Sequence, residues 1–145
     1  MKSLLPKPES LHWREFEHLC LILFAHGFKA TDAAFYCAPG VDQRGIDIRL
    51  TRQERDIPER VVIQCKASPK ISWCDIKEDF KRAVEGFLGE ATAATRDLRF
   101  ILATTAGTVS FDIGTEKNNL LSELCTPELA AHVHFQVFTW SDLEN

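Results

Sequence analysis

The sequence predicts an α/β fold in which a mixed sheet carries helices on both faces. Three observations predict it. Periodic segments follow one another in the order α-β-β-β-α-β-α-β, an interleaving that sets helices against a sheet. Residues 98–104, LRFILAT, are almost continuously apolar, as a strand in the buried middle of a sheet requires. The runs 46–52 and 60–66 alternate instead, and a polar segment with Asp56 and Pro58 joins them, which suits a hairpin.

Residues 1–12 open the chain as an expected loose lead-in, with Pro6 and Pro8, and residues 13–145 are expected to form one domain. Trp13, Phe16, Leu19, Cys20, Leu23 and Phe24 recur at helical spacing, so a helix is expected from Trp13 to about His26. Ser10 marks its capping region and Gly27 its stop. Residues 28–44, with Pro39 and Gly40, read as a short strand and a loop. In 46–52, Ile46, Ile48 and Leu50 share one face and Asp47, Arg49 and Thr51 the other. In 60–66, Val61, Ile63 and Cys65 share one face and Val62, Gln64 and Lys66 the other. Asp75 is expected to cap a helix running to about Leu88, with Ile76, Phe80, Val84 and Phe87 as its apolar stripe. A further helix is expected over 110–124, broken by Pro127, and a last strand, HFQVFTW, over 134–140.

A chain of 145 residues, 45% hydrophobic and 26% charged, is large enough for one domain with a substantial core. No apolar run is long enough to span a bilayer and the N-terminus lacks a continuous apolar region, so neither a membrane partner nor a signal peptide is expected. The 5 cysteines form no CxxC pair, which points to a reduced, cytoplasmic protein. A net charge of −4 argues against a general nucleic-acid coat protein. Lys66, Lys70, Lys77, Lys81 and Arg82 leave room for a local basic face, although a solvated helix face explains them as well. His132 and His134 form an HxH, but no further ligands stand around them in sequence at zinc-site spacing, so no zinc site is expected.

The strand ending Val-Val-Ile-Gln-Cys-Lys carries the chemistry. If it pairs with 46–52 as a hairpin, Asp47, Gln64 and Lys66 converge at one end of the sheet. Magnesium takes oxygen ligands, commonly one or two protein carboxylates with water and phosphate oxygens. Asp47 and the Gln64 carbonyl are such ligands. A lysine beside them is suited to orient or deprotonate a water, or to stabilise charge developing on a phosphate. Taken singly, each has a plainer explanation: Asp47 as a strand-end charge, Lys66 as an exposed terminus, Gln64 as a partner of a neighbouring loop. Their joint occurrence on one face is harder to explain that way.

Phe16-Glu17 on a first helix, Gly27 after it, Gly45-Ile46-Asp47 and then Gln64-Cys65-Lys66 together resemble the Mrr-type branch of the PD-(D/E)xK nucleases, which is associated with type IV restriction endonucleases. Ile101–Gly107, ILATTAG, and HFQVFTWSDL extend the resemblance from about Trp13 to Leu143. The sequence departs from the usual G-x-D-G-G-I-D: it reads Gly40-Val41-Asp42-Gln43-Arg44-Gly45-Ile46-Asp47, with an extra residue and an arginine. Gln64 stands where the wider superfamily has a glutamate, as in other Mrr-like members.

The resemblance implies a restriction-endonuclease-like three-layer α/β/α sandwich with a mixed central sheet. It implies a nuclease that hydrolyses phosphodiesters of DNA, double-stranded by the same resemblance, in restriction or antiviral defence. Mg²⁺ is the implied cofactor, with Mn²⁺ as a substitute. Glu17, Asp47 and Gln64 are the implied metal ligands, and Lys66 the residue that assists the attacking water. Glu17 borders an apolar stripe, where a carboxylate is costly unless paired or metal-bound. Pairing with Arg14 is the ordinary alternative, and Glu15 is its competitor for the role. A homo-oligomer and a fused sensor or NTPase region are the expected partners beyond DNA, with this chain as the N-terminal effector domain of a larger protein. The alternative is the same fold without catalysis, kept for nucleic-acid binding or oligomerisation; the acidic balance and Gln64 lean towards it, and the Asp47/Lys66 pair away from it.

Overall fold

The computed structural model describes residues 12–35, 47–52, 59–89 and 96–144. Its elements run α1 (Trp13–Gly27), β1 (Ala34–Phe35), β2 (Ile48–Arg52), β3 (Glu59–Lys66), α2 (Trp73–Leu88), β4 (Asp97–Thr104), α3 (Ile113–Leu124), α4 (Pro127–Ala130), β5 (Val133–Phe138) and α5 (Trp140–Glu144). The strands form one sheet in the order β1-β2-β3-β4-β5. β1, β2 and β3 pair antiparallel, whereas β4 runs parallel to both β3 and β5. This is the mixed α/β sheet that the sequence predicts.

Alternation along the strands sorts the core into two sides. Val61 and Ile63, with Ile48, Leu50, Ile101 and Ala103, pack against Phe16, Cys20 and Phe24 of α1 and Trp140 of α5. Val62, Leu98, Phe100 and Val133 face the other way, onto Phe80, Val84 and Phe87 of α2 and Leu120 and Leu121 of α3. The helices between parallel strands, α2 and α3, lie on one face because successive crossovers of one hand, moving in one direction along the sheet, wind onto the same side. Phe80 anchors that side, its ring 5.2 Å from Phe100 and 4.8 Å from Phe135.

Several boundaries differ from expectation for local reasons. Ser10 lies outside the described residues, and His12 caps α1: its Nδ1 accepts from the Arg14 amide while the Glu15 carboxylate accepts from the His12 amide. Gly27 ends α1, and the chain leaves through a left-handed Lys29, φ 53°. Asp75 is not the cap of α2; Ser72 holds that position, and Asp75 Oδ2 accepts from the Ser72 amide at 2.7 Å. Pro127 does not break α3, which ends at Leu124; it occupies the first turn of α4, where a missing amide hydrogen costs nothing. β5 stops at Phe138 because Thr139 and Trp140 enter α5, where Trp140 packs 6.2 Å from Phe16. Ile46, Pro39, Gly40 and the loop with Asp56 and Pro58 lie outside the described residues.

Candidate active site

The site lies at the sheet end where β3 and β4 finish. β2 runs against β3, so its beginning falls at that same end, and Asp47 stands just before it. Crevices at the carboxyl ends of parallel strands are where α/β sheets hold ligands. The β2–β3 register pairs Ile48 with Ile63, and the Asp47 amide, just before β2, also turns to the Ile63 carbonyl, which sets Asp47 beside the end of β3 that carries Gln64 and Lys66. Asp47, Gln64 and Lys66 all fall on the α2 side of the sheet, because their neighbours Ile48, Ile63 and Cys65 pack on the α1 side. The convergence expected from the hairpin is therefore present.

Asp47 is held in two ways. Its amide donates to the Ile63 carbonyl at 2.9 Å, and its Oδ2 accepts from the Cys65 amide at 2.7 Å. The carboxylate thus takes the ladder partner's place for Cys65 just beyond the last paired residues of β2. Asp47 is only 7% exposed. Burial is the main cause that pushes its carboxyl above the ordinary value, and the like charge of Asp79 adds to it; the Cys65 hydrogen bond and the Lys66 charge pull the other way.

Gln64 supplies the most direct sign of a missing partner. Its Oε1 is buried and has no hydrogen-bond partner among the described residues. A buried amide oxygen left unpaired carries a desolvation cost of about 1–3 kcal/mol. A bound cation would satisfy it, and the donor set of one carboxylate and one amide oxygen suits a hard divalent ion. These residues fit the metal that the resemblance implies.

Glu17 approaches from α1 and is partly buried. Burial raises its carboxyl first and the charge of Asp47 second, while Arg14 and His18 oppose. The charge of Asp47 is therefore felt at Glu17, which is the geometric support for Glu17 as a further oxygen ligand near Asp47. Lys66 Nζ stands 3.7 Å from Asp79 Oδ2 on α2. Sequence reasoning missed Asp79, whose contact with Lys66 depends on how α2 docks against the sheet. Cys65, between Gln64 and Lys66, is no nucleophile: contact with the Cys20 thiol and burial push its thiol well up.

A second group of ligand-type side chains lies at the other end of the parallel strands. Glu59, Asp97 and His134 hold ligand atoms within 4.8 Å of one another, and His132 Nδ1 lies 2.7 Å from Asp97 Oδ1. The HxH histidines meet a carboxylate that their own stretch of sequence does not supply. Asp97 comes from 35 residues away in sequence, and only the parallel register of β4 with β5 brings it there.

A family model described as restriction endonuclease, Mrr catalytic type, matches residues 8–109. No curated protein and no solved structure matches the chain.

Proposed function

The chain belongs to the Mrr-type restriction endonuclease family, and from that premise we propose that it is a divalent-metal-dependent endonuclease acting on double-stranded DNA in restriction or defence. The observation that carries this reading is the buried Gln64 Oε1, which has no hydrogen-bond partner among the described residues, on the strand end that also carries Lys66 and holds Asp47 through the Cys65 amide. Asp47 and Gln64 would hold Mg²⁺ or Mn²⁺ with Glu17 as the third ligand. The ion supplies Lewis acidity at the scissile phosphate and toward the attacking water.

The chain's own residues do the rest. The Cys65 amide fixes the rotamer of Asp47. Asp47 and Glu17 provide the negative charge that draws the cation. Lys66 places an ammonium where a water can be oriented or phosphate charge stabilised, and an ammonium has no lone pair with which to ligate metal. Asp79 restrains that ammonium from the α2 side. Among the described residues no helix is long and apolar enough to cross a membrane. Assembly into a homo-oligomer and fusion to a sensor or NTPase region complete the reading; weak phosphate binding by one domain is then reinforced by the assembly.

Nicking of supercoiled plasmid by the purified protein tests it. Mg²⁺ or Mn²⁺ should support nicking, Ca²⁺ should bind without turnover, and EDTA should abolish it. Cleavage that persists in EDTA overturns the metal assignment. A folded, metal-binding protein that never cleaves DNA replaces the reading with a non-catalytic binding module.

A further inference from the structure

Trp13 belongs to the apolar stripe of α1 and yet is 49% exposed. Its stripe partners Phe16, Cys20 and Phe24 are buried against the sheet. The difference follows from where α1 begins. Phe16 packs 6.2 Å from Trp140, whose amide donates to the carbonyl of Ala106, just past the end of β4. At the other end of the helix Phe24 stacks 6.1 Å from Phe28, and the Arg52 guanidinium at the far end of β2 lies over that second ring. So α1 starts at the carboxyl ends of β3 and β4, and Trp13, in its first turn, overhangs the end of the sheet. Asp47, Gln64 and Lys66 gather at that same end.

The surroundings of the indole have a definite chemistry. Arg14 holds its guanidinium 4.6 Å from the ring centre, and the His12 ring lies 5.5 Å away. Glu15, the carboxylate of the same turn, is turned back to the His12 amide at 3.4 Å. Glu17 is the next residue on this side of the helix, about 6 Å further along its axis. The charges of both Asp47 and Arg14 are felt at Glu17, so the arginine and the proposed metal centre are close neighbours. A half-exposed indole with a cation over it is suited to stack on a nucleobase: every base offers a π face, and arginine adds cation–π attraction and affinity for phosphate.

We propose that Trp13, backed by Arg14, stacks on an unpaired nucleobase of the strand being cut, next to the scissile phosphate. The inference rests on the nuclease reading above and extends it to the state of the DNA at the cut. A base inside a duplex presents no free face to an indole, so the nucleotide beside the cut must be frayed, mismatched or turned out of the stack. Unstacking costs least where pairing is already broken. The protein should therefore favour duplex positions with a loose nucleotide. The occupant is nucleic acid rather than a second copy of the chain for two reasons. The ring stands one helical turn from a proposed metal ligand, where the substrate strand has to lie, and the cation over it complements phosphate.

The test compares a fully paired duplex with the same duplex carrying a single mismatch. Binding is read by fluorescence anisotropy with Ca²⁺ in place of Mg²⁺, and nicking is read with Mg²⁺. The parent should bind and nick the mismatched duplex roughly tenfold better than the paired one. Trp13→Ala should lose that preference, and Trp13→Phe, which keeps a π face, should retain most of it. Calorimetric Mn²⁺ affinity and the unfolding midpoint should change little in either variant, because the ring is half exposed and ligates nothing. A parent that binds both duplexes alike, or a Trp13→Ala protein that still discriminates them like the parent, overturns the proposal and leaves the metal-centre reading standing. So does a Trp13→Ala change confined to self-association in sedimentation, which would make the ring a contact between copies. A parent that neither binds nor nicks either duplex removes the nuclease reading itself, and this inference with it.

Discussion

The Cys65 amide donates to Asp47 Oδ2 across 2.7 Å, so the strand that carries Gln64 and Lys66 also fixes the carboxylate on the strand beside it. The Cys65 hydrogen bond takes Oδ2 alone. One backbone bond thereby spends one oxygen of the acid on geometry and leaves the other for chemistry. That hydrogen bond and the Lys66 charge offset part of the cost of burying Asp47, which is 7% exposed.

Burial and Asp79 leave the ionised Asp47 costly in the metal-free protein. A carboxyl whose folded value is raised binds its proton more tightly when folded. Its contribution to stability is present at low pH and is lost as pH rises from the ordinary carboxylate range through the raised folded value. Asp47→Asn keeps an oxygen for the Cys65 amide and removes the charge. It should raise the metal-free unfolding midpoint at neutral pH by about 2–4 °C, the shift that roughly 1 kcal/mol gives at this size, and lose the further rise that Mn²⁺ gives the parent. Differential scanning calorimetry at neutral and mildly acidic pH checks both, and the gain should shrink at the acidic pH.

In the proposed centre the same raised carboxyls should set the acid limb of cleavage. Protons would compete with the cation at Asp47 and Glu17, whose carboxyls burial raises from their ordinary values. At sub-saturating Mg²⁺, nicking should therefore fall on acidification before ordinary carboxylates titrate. Raising the Mn²⁺ concentration should move that limb to lower pH. Rate–pH profiles at two metal concentrations check this; a limb that ignores metal concentration belongs to another group.

Much of this was legible in the sequence, and the limits have physical causes. The faces of β2 and β3 follow from a period of two, so Asp47, Gln64 and Lys66 could be aligned from residues 46–66 alone. The stripe Ile76, Phe80, Val84 and Phe87 is local in the same way, and all four are buried. Contacts that need register between distant segments were invisible. Asp79 meets Lys66 only once α2 is docked on the sheet. Asp97 meets His132 and His134 only through the parallel ladder of β4 and β5. Cap identities failed for a different reason: His12 and Ser72 compete with neighbours of similar capping chemistry, and loop geometry decides between them.

Glu59 is fully buried beside Arg99, and removing one member of a buried pair strands the other's charge. Arg99→Met should cost about 3 kcal/mol, with Arg52 supplying partial compensation. The double variant Glu59→Leu/Arg99→Met should cost less than the sum of the single changes. Urea unfolding of the three variants supplies the cycle.

Phe80 joins the rings of Trp73, Phe100 and Phe135 behind the site. Phe80→Ala should destabilise by about 3–5 kcal/mol, whereas Phe80→Leu should cost much less. Because Asp79 precedes it on α2, the alanine variant should also loosen the restraint on Lys66 and lower nicking beyond the loss of folded protein. Activity per folded molecule, measured beside urea unfolding, separates the two effects.

The central claim is that Asp47 and Gln64 bind the metal while Lys66 acts on the water or the phosphate. Nicking by Lys66→Ala, measured with its Mn²⁺ affinity beside Asp47→Ala and Gln64→Glu, tests it most directly. Lys66→Ala should stay folded, keep most of its Mn²⁺ affinity and lose nicking by at least a hundredfold. Asp47→Ala should lose both, and Gln64→Glu should keep activity and bind Mn²⁺ more tightly. A folded Lys66→Ala protein that nicks plasmid like the parent would contradict the account.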